Sequence, residues 1–269
     1  MVDAQLFVSY LLLAILEHPS TMNPRSKVMM LAAISVVILG GVLVSGQQLA
    51  MAGKNAGTNA QQVGFTTEFF QEDCTFTNTG TTPFFILEPD YQIVLSGEEK
   101  DGTEVELIIT VLEDTEEVDD VVTRVVEEEE SKDGVVVERS RNFFAICEET
   151  NSVFYFGEEV DVFEGDQVTH PGEWRADEGD NKAGIIMPGT IMLGAGYFQE
   201  IAPDVAMDQA EIISMDEVVD TPAEVFEDVV KMKETTPLEP GHVEYKYHAK
   251  DVGLIQDGNL KLDKAGFVP

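Results

Sequence analysis

The chain has 269 residues, of which 51 are acidic and 16 are basic, so its formal net charge is −35. A surface with this charge repels nucleic acids and anionic lipids, which excludes a nucleic-acid-binding function. The composition is 43% hydrophobic and includes 15 Phe, so the chain can bury a core and is not a disordered acidic tail.

The acidic excess allows two interpretations. The first is a solvated coat suited to high salt, where the Debye length shrinks to about 3 Å at 1 M and self-repulsion is screened. The second is a site for a divalent cation, because carboxylates are the ligands that calcium prefers. No calcium loop of the form D-x-[DN]-x-[DN]-G occurs in the sequence, so the first interpretation is favoured. Neither a metal nor a cofactor is predicted.

The N-terminal part, residues 1–52, is predicted to be an export signal or a membrane anchor. An uninterrupted apolar run at residues 28–46 is long enough to span a bilayer. Basic residues precede the run, and Ala-Met-Ala at 50–52 follows it as a site that an export peptidase could cut. Cleavage and anchoring both stay open, and both place the acidic remainder outside the cytoplasm. The stretch from Met22 makes the better export signal, so translation is expected to start there.

Residues 53–82 are predicted to be a linker with one short element, and residues 83–269 a single acidic β-domain. The linker has no hydrophobic periodicity. In the domain, apolar and polar residues alternate at the period of a pleated strand. Strands are predicted at residues 91–96, 103–112, 121–129, 135–144, 211–215, 217–220, 229–234, 242–249, 252–256 and 260–262.

The connections between these strands predict an antiparallel meander. Asp133-Gly134 is a typical two-residue hairpin turn. A long loop around Trp174 interrupts the sheet, and residues 222–226 are predicted to form a helical turn. The predicted fold class is mainly β: a single curved antiparallel sheet, of half-barrel or open-barrel type, with a long loop and a short helix, preceded by an N-terminal hydrophobic helix.

The stretch at residues 142–200 holds the only Trp and the densest turn punctuation, and it is predicted to be the middle of the sheet. Alternation places Tyr155 and Gly157 on one face of a strand and Phe156 and Glu158 on the other. No nucleophile motif of the G-x-S-x-G kind and no phosphate loop is present. Carboxylates occur in every strand, so their presence does not decide for or against a carboxylate pair for glycoside chemistry.

Cys74 and Cys147 are the two cysteines of the chain. An extracytoplasmic location permits a disulfide between them, and closing a loop of about 70 residues contributes roughly 4 kcal/mol in the chain-entropy model. Two separate buried thiols are the alternative, and geometry decides between the two. A metal pair is disfavoured because no CxxC spacing is present.

One candidate metal site lies near the C-terminus. Four polar residues would share one face of a strand there: His242, Glu244, Lys246 and His248. His170 could be brought to them by the long loop. The favoured interpretation is a solvated polar face opposite an aromatic core face, because Lys246 would repel a cation.

Aromatic side chains form the candidate ligand-binding site. They could line the hollow of a curved sheet, which is how β-structures hold an apolar ligand. The alternative is that the same side chains fill the core. The proposed site residues are Tyr155, Trp174, Met187, Tyr197, Tyr245 and Tyr247.

An ordered series of motifs suggests a family. The motifs are Phe-Tyr-Phe-Gly-Glu at 154–158, Gly-Glu-Trp at 172–174, Ala-Gly-Ile-Ile-Met-Pro at 183–188, Tyr-Phe-Gln-Glu at 197–200, Lys-Glu-Thr-Thr-Pro-Leu-Glu-Pro at 233–240, Glu-Tyr-Lys-Tyr at 244–247 and Val-Gly-Leu-Ile at 252–255. In this series the chain resembles a family of uncharacterised secreted or lipoprotein-type bacterial and archaeal proteins, and more distantly the half-barrel lipoprotein carriers of cell envelopes. The family usually has Tyr where this chain has His248. The resemblance implies an exported β-domain without a particular activity.

The sequence favours an exported, non-catalytic envelope or secreted domain that binds a small apolar ligand or a peptide on its aromatic sheet face. Its expected partners are the membrane, through the N-terminal segment, and such a ligand or an envelope protein. The alternatives are a secreted hydrolase that uses paired carboxylates near the Trp174 loop and a structural protein without a pocket. Two facing carboxyl groups, one with a raised pKa, would support the hydrolase.

Overall fold

The computed structural model describes residues 64–269. The predicted export segment, the N-terminal hydrophobic helix and the start at Met22 lie outside the described residues. Residues 64–269 contain no α-helix, and one 3-10 turn lies at Gln71–Asp73. Within the same residues, no helix is long and apolar enough to cross a membrane.

The described part of the chain is built from eighteen β-strands. In chain order they are β1 (Phe76–Thr77), β2 (Gly80–Thr82), β3 (Phe85–Leu87), β4 (Tyr91–Glu98), β5 (Glu104–Val118), β6 (Val121–Lys132), β7 (Val135–Cys147), β8 (Val153–Glu164), β9 (Gln167–Thr169), β10 (Trp174–Arg175), β11 (Lys182–Met187), β12 (Gly196–Phe198), β13 (Glu200–Ile201), β14 (Gln209–Asp220), β15 (Val225–Thr235), β16 (Glu244–Ala249), β17 (Gly253–Asp257) and β18 (Leu260–Phe267). All of the predicted strands are present, and β5 to β7 extend beyond their predicted ends.

Sixteen strands of residues 64–269 form one sheet, in the order β12-β14-β15-β16-β17-β18-β4-β5-β6-β7-β8-β11-β13 with β1, β9 and β10 at its side. Neighbouring strands pair antiparallel. The two edge strands, β12 and β13, are separated along the chain by Gln199 alone. The sheet therefore curves until its edges nearly meet, which confirms the prediction of a single curved antiparallel sheet.

Short turns fix the register of the longest strands. Asp119 and Asp120 connect β5 to β6 with φ values of 53° and 60°, and Asp133 and Gly134 connect β6 to β7 with 49° and 76°. Positive φ at both central residues is typical of the type I′ hairpin turn, whose backbone twist matches the twist of the flanking strands. The Asp133-Gly134 hairpin turn is thus confirmed.

Two predictions about local structure are wrong. The short helix at residues 222–226 is a hairpin turn between β14 and β15, in which the Thr221 N–H and hydroxyl both donate to the Glu224 carbonyl at 3.0 and 2.8 Å. Residues 142–200 form the last strands and the closing edge of the sheet and not its middle. This stretch is rich in aromatic residues because its strands are covered by protein on both faces of the sheet.

The cover on the outer face comes from the segment before Pro83. Phe76 of β1 packs edge-on against Phe154 and Phe156 of β8, with ring centroids 5.3 Å apart in both pairs. β1 pairs with β7, and a disulfide joins Cys74 to Cys147, whose Cα atoms are 5.2 Å apart. The segment before Pro83 therefore packs on the sheet as part of the folded unit.

The β2–β3 hairpin lies against the inner face of the sheet. Phe85 packs edge-on against Phe144 of β7, with ring centroids 5.3 Å apart, and Leu87 is fully buried. Arg124 holds the start of the hairpin, because its Nε donates to the Asn78 carbonyl at 2.9 Å. The hairpin thereby fills part of the hollow and leaves a cavity beside it.

Candidate functional site

The hollow of the sheet contains a cavity of about 290 Å³ with two unlike walls. One wall is apolar and comes from β4, β5, the β2–β3 hairpin and the ends of β7 and β11. Six of its residues are Tyr91, Ile93, Ile109, Val111, Phe144 and Met187. The volume is near the lower end of the range of small-molecule sites.

The other part of the lining is acidic. Its strands β6, β7, β8, β13, β15 and β16 direct carboxyl groups and one ammonium group to the cavity. The charged residues that line it are Glu128, Glu138, Glu158, Glu200, Asp208, Glu234 and Lys246. Glu138 and Asp208 are also exposed on the surface, so the cavity reaches solvent on its acidic side.

Lys246 is the centre of a partly buried ion network on this wall. Its Nζ lies 3.1 Å from Glu234 Oε2 and 3.8 Å from Asp257 Oδ2, and the Gln199 side chain donates to Glu234 Oε1 at 2.9 Å. The charge of Glu234 holds the Lys246 pKa well above its usual value. Burial raises the pKa of Asp257, and Lys246 opposes that rise. Gln199 links the network to the junction of the two sheet edges.

Glu158 and Tyr155 face the cavity together although three positions separate them. A shift of register between Phe143 and Phe144 leaves Phe156 as an extra residue in β8, so Gly157 faces outward and Glu158 inward. Tyr155 donates to Asn142 Oδ1 at 2.6 Å. Burial raises the pKa of Glu158 to about 8, against the lowering effect of the nearby Tyr155 hydroxyl.

Two more carboxyl groups show the same effect of burial. Burial raises the pKa of Glu128 to about 7, and it raises the pKa of Glu200 well above the usual value. Glu128 keeps some accessible surface because it faces the cavity. Glu200 accepts a hydrogen bond from the Asp208 N–H at 2.6 Å. At neutral pH this wall therefore holds a mixture of protonated and ionised carboxyl groups.

His248 lies at the junction of the two walls. It is 8% exposed, it lines the cavity, and its Nδ1 atom has no hydrogen-bond partner among residues 64–269. Burial lowers the pKa of His248 to about 4, so the imidazole is neutral at physiological pH.

The six predicted ligand-binding residues divide between two faces of the sheet. Tyr155 and Met187 line the cavity. Trp174 packs edge-on against Tyr155 with ring centroids 5.2 Å apart, and Tyr197 is buried opposite Ala210. Tyr245 and Tyr247 lie on the other face of β16, with the Lys231 ammonium 4.6 and 5.1 Å from their ring centroids.

The predicted orientation of β16 is wrong. The polar residues Lys246 and His248 face the interior, whereas Tyr245 is 40% exposed on the outside. The interior of this sheet holds carboxyl groups that pair with Lys246, and these outweigh the tendency of aromatic side chains to be buried. His242 and His170 are outside the cavity, each beside an acidic residue, at 3.2 Å from Glu244 and 3.0 Å from Asp161.

The sequence interpretation missed the buried carboxyl groups. Glu128 stands in an unbroken run of four Glu, so the pattern of alternation cannot show which of them face inward. Glu158 is assigned to the wrong face because the bulge is not visible in the sequence. Within residues 64–269, the group of His, Cys, Asp and Glu side chains close enough to hold a metal ion is Cys74, Cys147 and Glu149, and its two thiols are joined in the disulfide.

Comparison with known proteins finds two solved structures with limited similarity. A candidate exported protein of Bacteroides fragilis, described as having a YmcC-like fold, is 16% identical with a TM-score of 0.35 over 69% of this chain and 100% of that one. A candidate lipoprotein of Parabacteroides distasonis is 11% identical with a TM-score of 0.34 over 70% of this chain and 100% of that one. No protein-family model and no curated protein matches the chain. The family resemblance of the motifs stays a prediction.

Proposed function

We propose that this protein is an extracytoplasmic, non-catalytic binding domain that holds a small amphipathic ligand inside its curved sheet. The observation that carries the proposal is the interior cavity of about 290 Å³, whose lining is apolar in one part and polar in another. A cavity of this kind suits one small molecule, which the apolar wall desolvates and the polar wall orients. The proposal keeps the ligand in the hollow of the sheet, as the sequence predicts, but without Tyr245 and Tyr247, which lie on the outer face.

The extracytoplasmic location has two supports. The apolar run at residues 28–46 is long enough for export or anchoring. The disulfide between Cys74 and Cys147 is a bond that persists in oxidising compartments and is rare in the cytosol. A membrane link through the N-terminal segment is part of the proposal. The intact mass of protein purified from its own cells tests both supports, because it reports the N-terminus, the disulfide and any bound molecule.

Binding is tested by filling the cavity. Ile109 lines the cavity from β5, whereas its neighbour Ile108 points to the other face of the same strand. We expect 1-octanol, followed by ligand-observed NMR, to bind the wild type and the Ile108→Trp control. The Ile109→Trp variant should abolish this binding, because the indole occupies the space of the ligand. Equal binding by both variants would place the ligand elsewhere and refute the proposal.

A hydrolase is a second candidate, because Glu158 lies directly opposite Trp174 across the β8–β10 pair. Its pKa of about 8 would suit a general acid. Such chemistry also needs an ionised partner, and burial raises the pKa values of Glu128 and Glu200 as well, which favours binding over catalysis. Turnover of chromogenic glycosides or esters that is lost in Glu158→Gln would establish the hydrolase.

A further inference from the structure

The acidic wall of the cavity carries more carboxyl groups than its own cation can pair with. Lys246 is paired with Glu234 and Asp257. Five other carboxyl groups that line the cavity have no Lys, Arg or His partner within 4.0 Å among residues 64–269. They are Glu128, Glu138, Glu158, Glu200 and Asp208.

A second observation also indicates a ligand. His248 is buried, lines the cavity and leaves its Nδ1 atom without a hydrogen-bond partner in the described part of the chain. A buried polar atom without a partner costs about 1 to 3 kcal/mol. Because the imidazole is neutral, this atom can accept a hydrogen bond from an N–H donor.

We propose that the cavity binds an organic cation, with its ammonium group among the unpaired carboxyl groups and its apolar body against the apolar wall. This inference rests on the proposed binding function and names the class of ligand. A cavity of about 290 Å³ is near the lower end of the range of small-molecule sites, so it suits a small ligand.

A bare metal ion fits the cavity less well. Calcium takes six to eight oxygen ligands at about 2.3 to 2.6 Å. Among residues 64–269, no three carboxyl or imidazole groups of the cavity have ligand atoms within 4.8 Å of one another. The apolar wall, with Phe144, Ile109 and Met187, would also have no role in binding a metal ion. An ammonium group on an apolar body uses both walls.

Binding of a cation is expected to release protons. The pKa values of Glu128 and Glu158 are about 7 and 8, so part of each carboxyl is protonated at pH 7 and must ionise to pair with an ammonium group. The groups that face these two carboxyls from neighbouring elements are Tyr155, Glu138, Asp208, Glu234, Lys246 and Asp257. Lys246 lowers the pKa of Glu128, and Tyr155 lowers the pKa of Glu158. The acidic groups raise both pKa values.

The test compares three eight-carbon probes by isothermal titration calorimetry at pH 8: octylammonium, 1-octanol and octanoate. An alkylammonium stays charged to about pH 10. We expect octylammonium to bind at least about tenfold more tightly than 1-octanol, and octanoate more weakly than both. Its affinity should rise by about tenfold between pH 6 and pH 8.5, and the heat should differ between phosphate and Tris buffers because protons are released.

Variants locate the ammonium group. Glu158→Gln and Glu128→Gln should each reduce the preference for octylammonium over 1-octanol by about tenfold. Glu164→Gln, which is exposed at the end of β8, should not change this preference.

The outcomes separate the two proposals. If the three probes bind equally, or if the Gln variants keep the preference, the organic-cation inference is overturned and the binding function stands. If no probe binds to the folded wild type, the binding function falls and the inference falls with it.

Discussion

At the scale of single residues, the unusual feature is a set of carboxyl groups that folding removes from water. Burying a carboxylate without a partner is costly, so the group takes up a proton instead. Glu158, with a pKa of about 8, and Glu128, with a pKa of about 7, show this response. Carboxyl groups with raised pKa values lower the free energy of unfolding as the pH rises.

Replacing Glu158 with Gln should therefore stabilise the protein in a pH-dependent manner. A folded-state pKa raised from 4.5 to about 8 means that the contribution of Glu158 to stability is fully present below pH 4.5 and is lost as the pH rises through 8. Glu158→Gln should match the wild type at pH 5. At pH 9 it should be more stable by roughly 2 to 4 kcal/mol, since one pKa unit is worth about 1.4 kcal/mol and partial contact with water reduces the full value.

Urea unfolding at pH 5 and pH 9 measures this difference. Glu164→Gln serves as the control, because Glu164 is an exposed glutamate at the end of the same strand. Its stability relative to the wild type should not depend on pH. An equal effect of Glu158→Gln at both pH values would show that the Glu158 carboxyl is ionised freely in the folded protein.

At the scale of elements, the β8 bulge decides which side chains reach the cavity. Gly157 has a φ of 150°, and a Cβ atom there would lie 2.5 Å from the Trp174 carbonyl oxygen. Glycine is thus required both by the backbone conformation and by the close approach of β10. Regular alternation from Tyr155 would turn Glu159 inward, whereas the bulge turns Glu158 inward.

Substitution of Gly157 should be far more damaging than substitution of an equally unusual glycine in open space. Gly157→Ala is expected to cost about 3 kcal/mol, through strain and the displacement of β10. The control Gly102→Ala has a φ of 89° and no atom within 4 Å of its new Cβ, so it should cost about 1 kcal/mol. Urea unfolding compares the two, and equal costs would mean that the contact with Trp174 has no energetic role.

Strand and turn positions were predictable from sequence because they depend on local chemistry. Alternation identifies β4 to β8, and Asp133-Gly134 is a turn in any protein that places it between two strands. The inward face of β16 was not predictable. Both of its faces carry amphipathic residues, so Lys246 and Tyr247 compete for the interior, and the contacts of Lys246 with Glu234 and Asp257 decide the outcome.

At the scale of the whole molecule, the disulfide attaches the segment before Pro83 to the outer face of the sheet. The two half-cystines are 73 positions apart in the chain, so the bond restricts a long loop in the unfolded state. The segment also covers Phe154 and Phe156 with Phe76. Its detachment would expose a cluster of aromatic side chains to water.

Removal of the disulfide should destabilise the protein by about 4 kcal/mol in the chain-entropy model. The double variant Cys74→Ala and Cys147→Ala is compared with the wild type by urea unfolding, with and without a reducing agent. Reduction should lower the midpoint of the wild type towards that of the variant and leave the variant unchanged. A wild type and a variant with the same midpoint under oxidising conditions would show that the bond contributes nothing to stability.

The sequence by itself determined the class of fold, the positions of most strands and the acidic character of the chain, because alternation, turn chemistry and composition are local properties. Only the tertiary structure decided how the sheet closes at Gln199, that Cys74 meets Cys147, and that Glu128, Glu158 and Glu200 face a common cavity with Lys246. These facts depend on contacts between residues distant in the chain and on a bulge that reverses one face. A pattern of period two defines two faces of a strand, but it does not show which of them is enclosed.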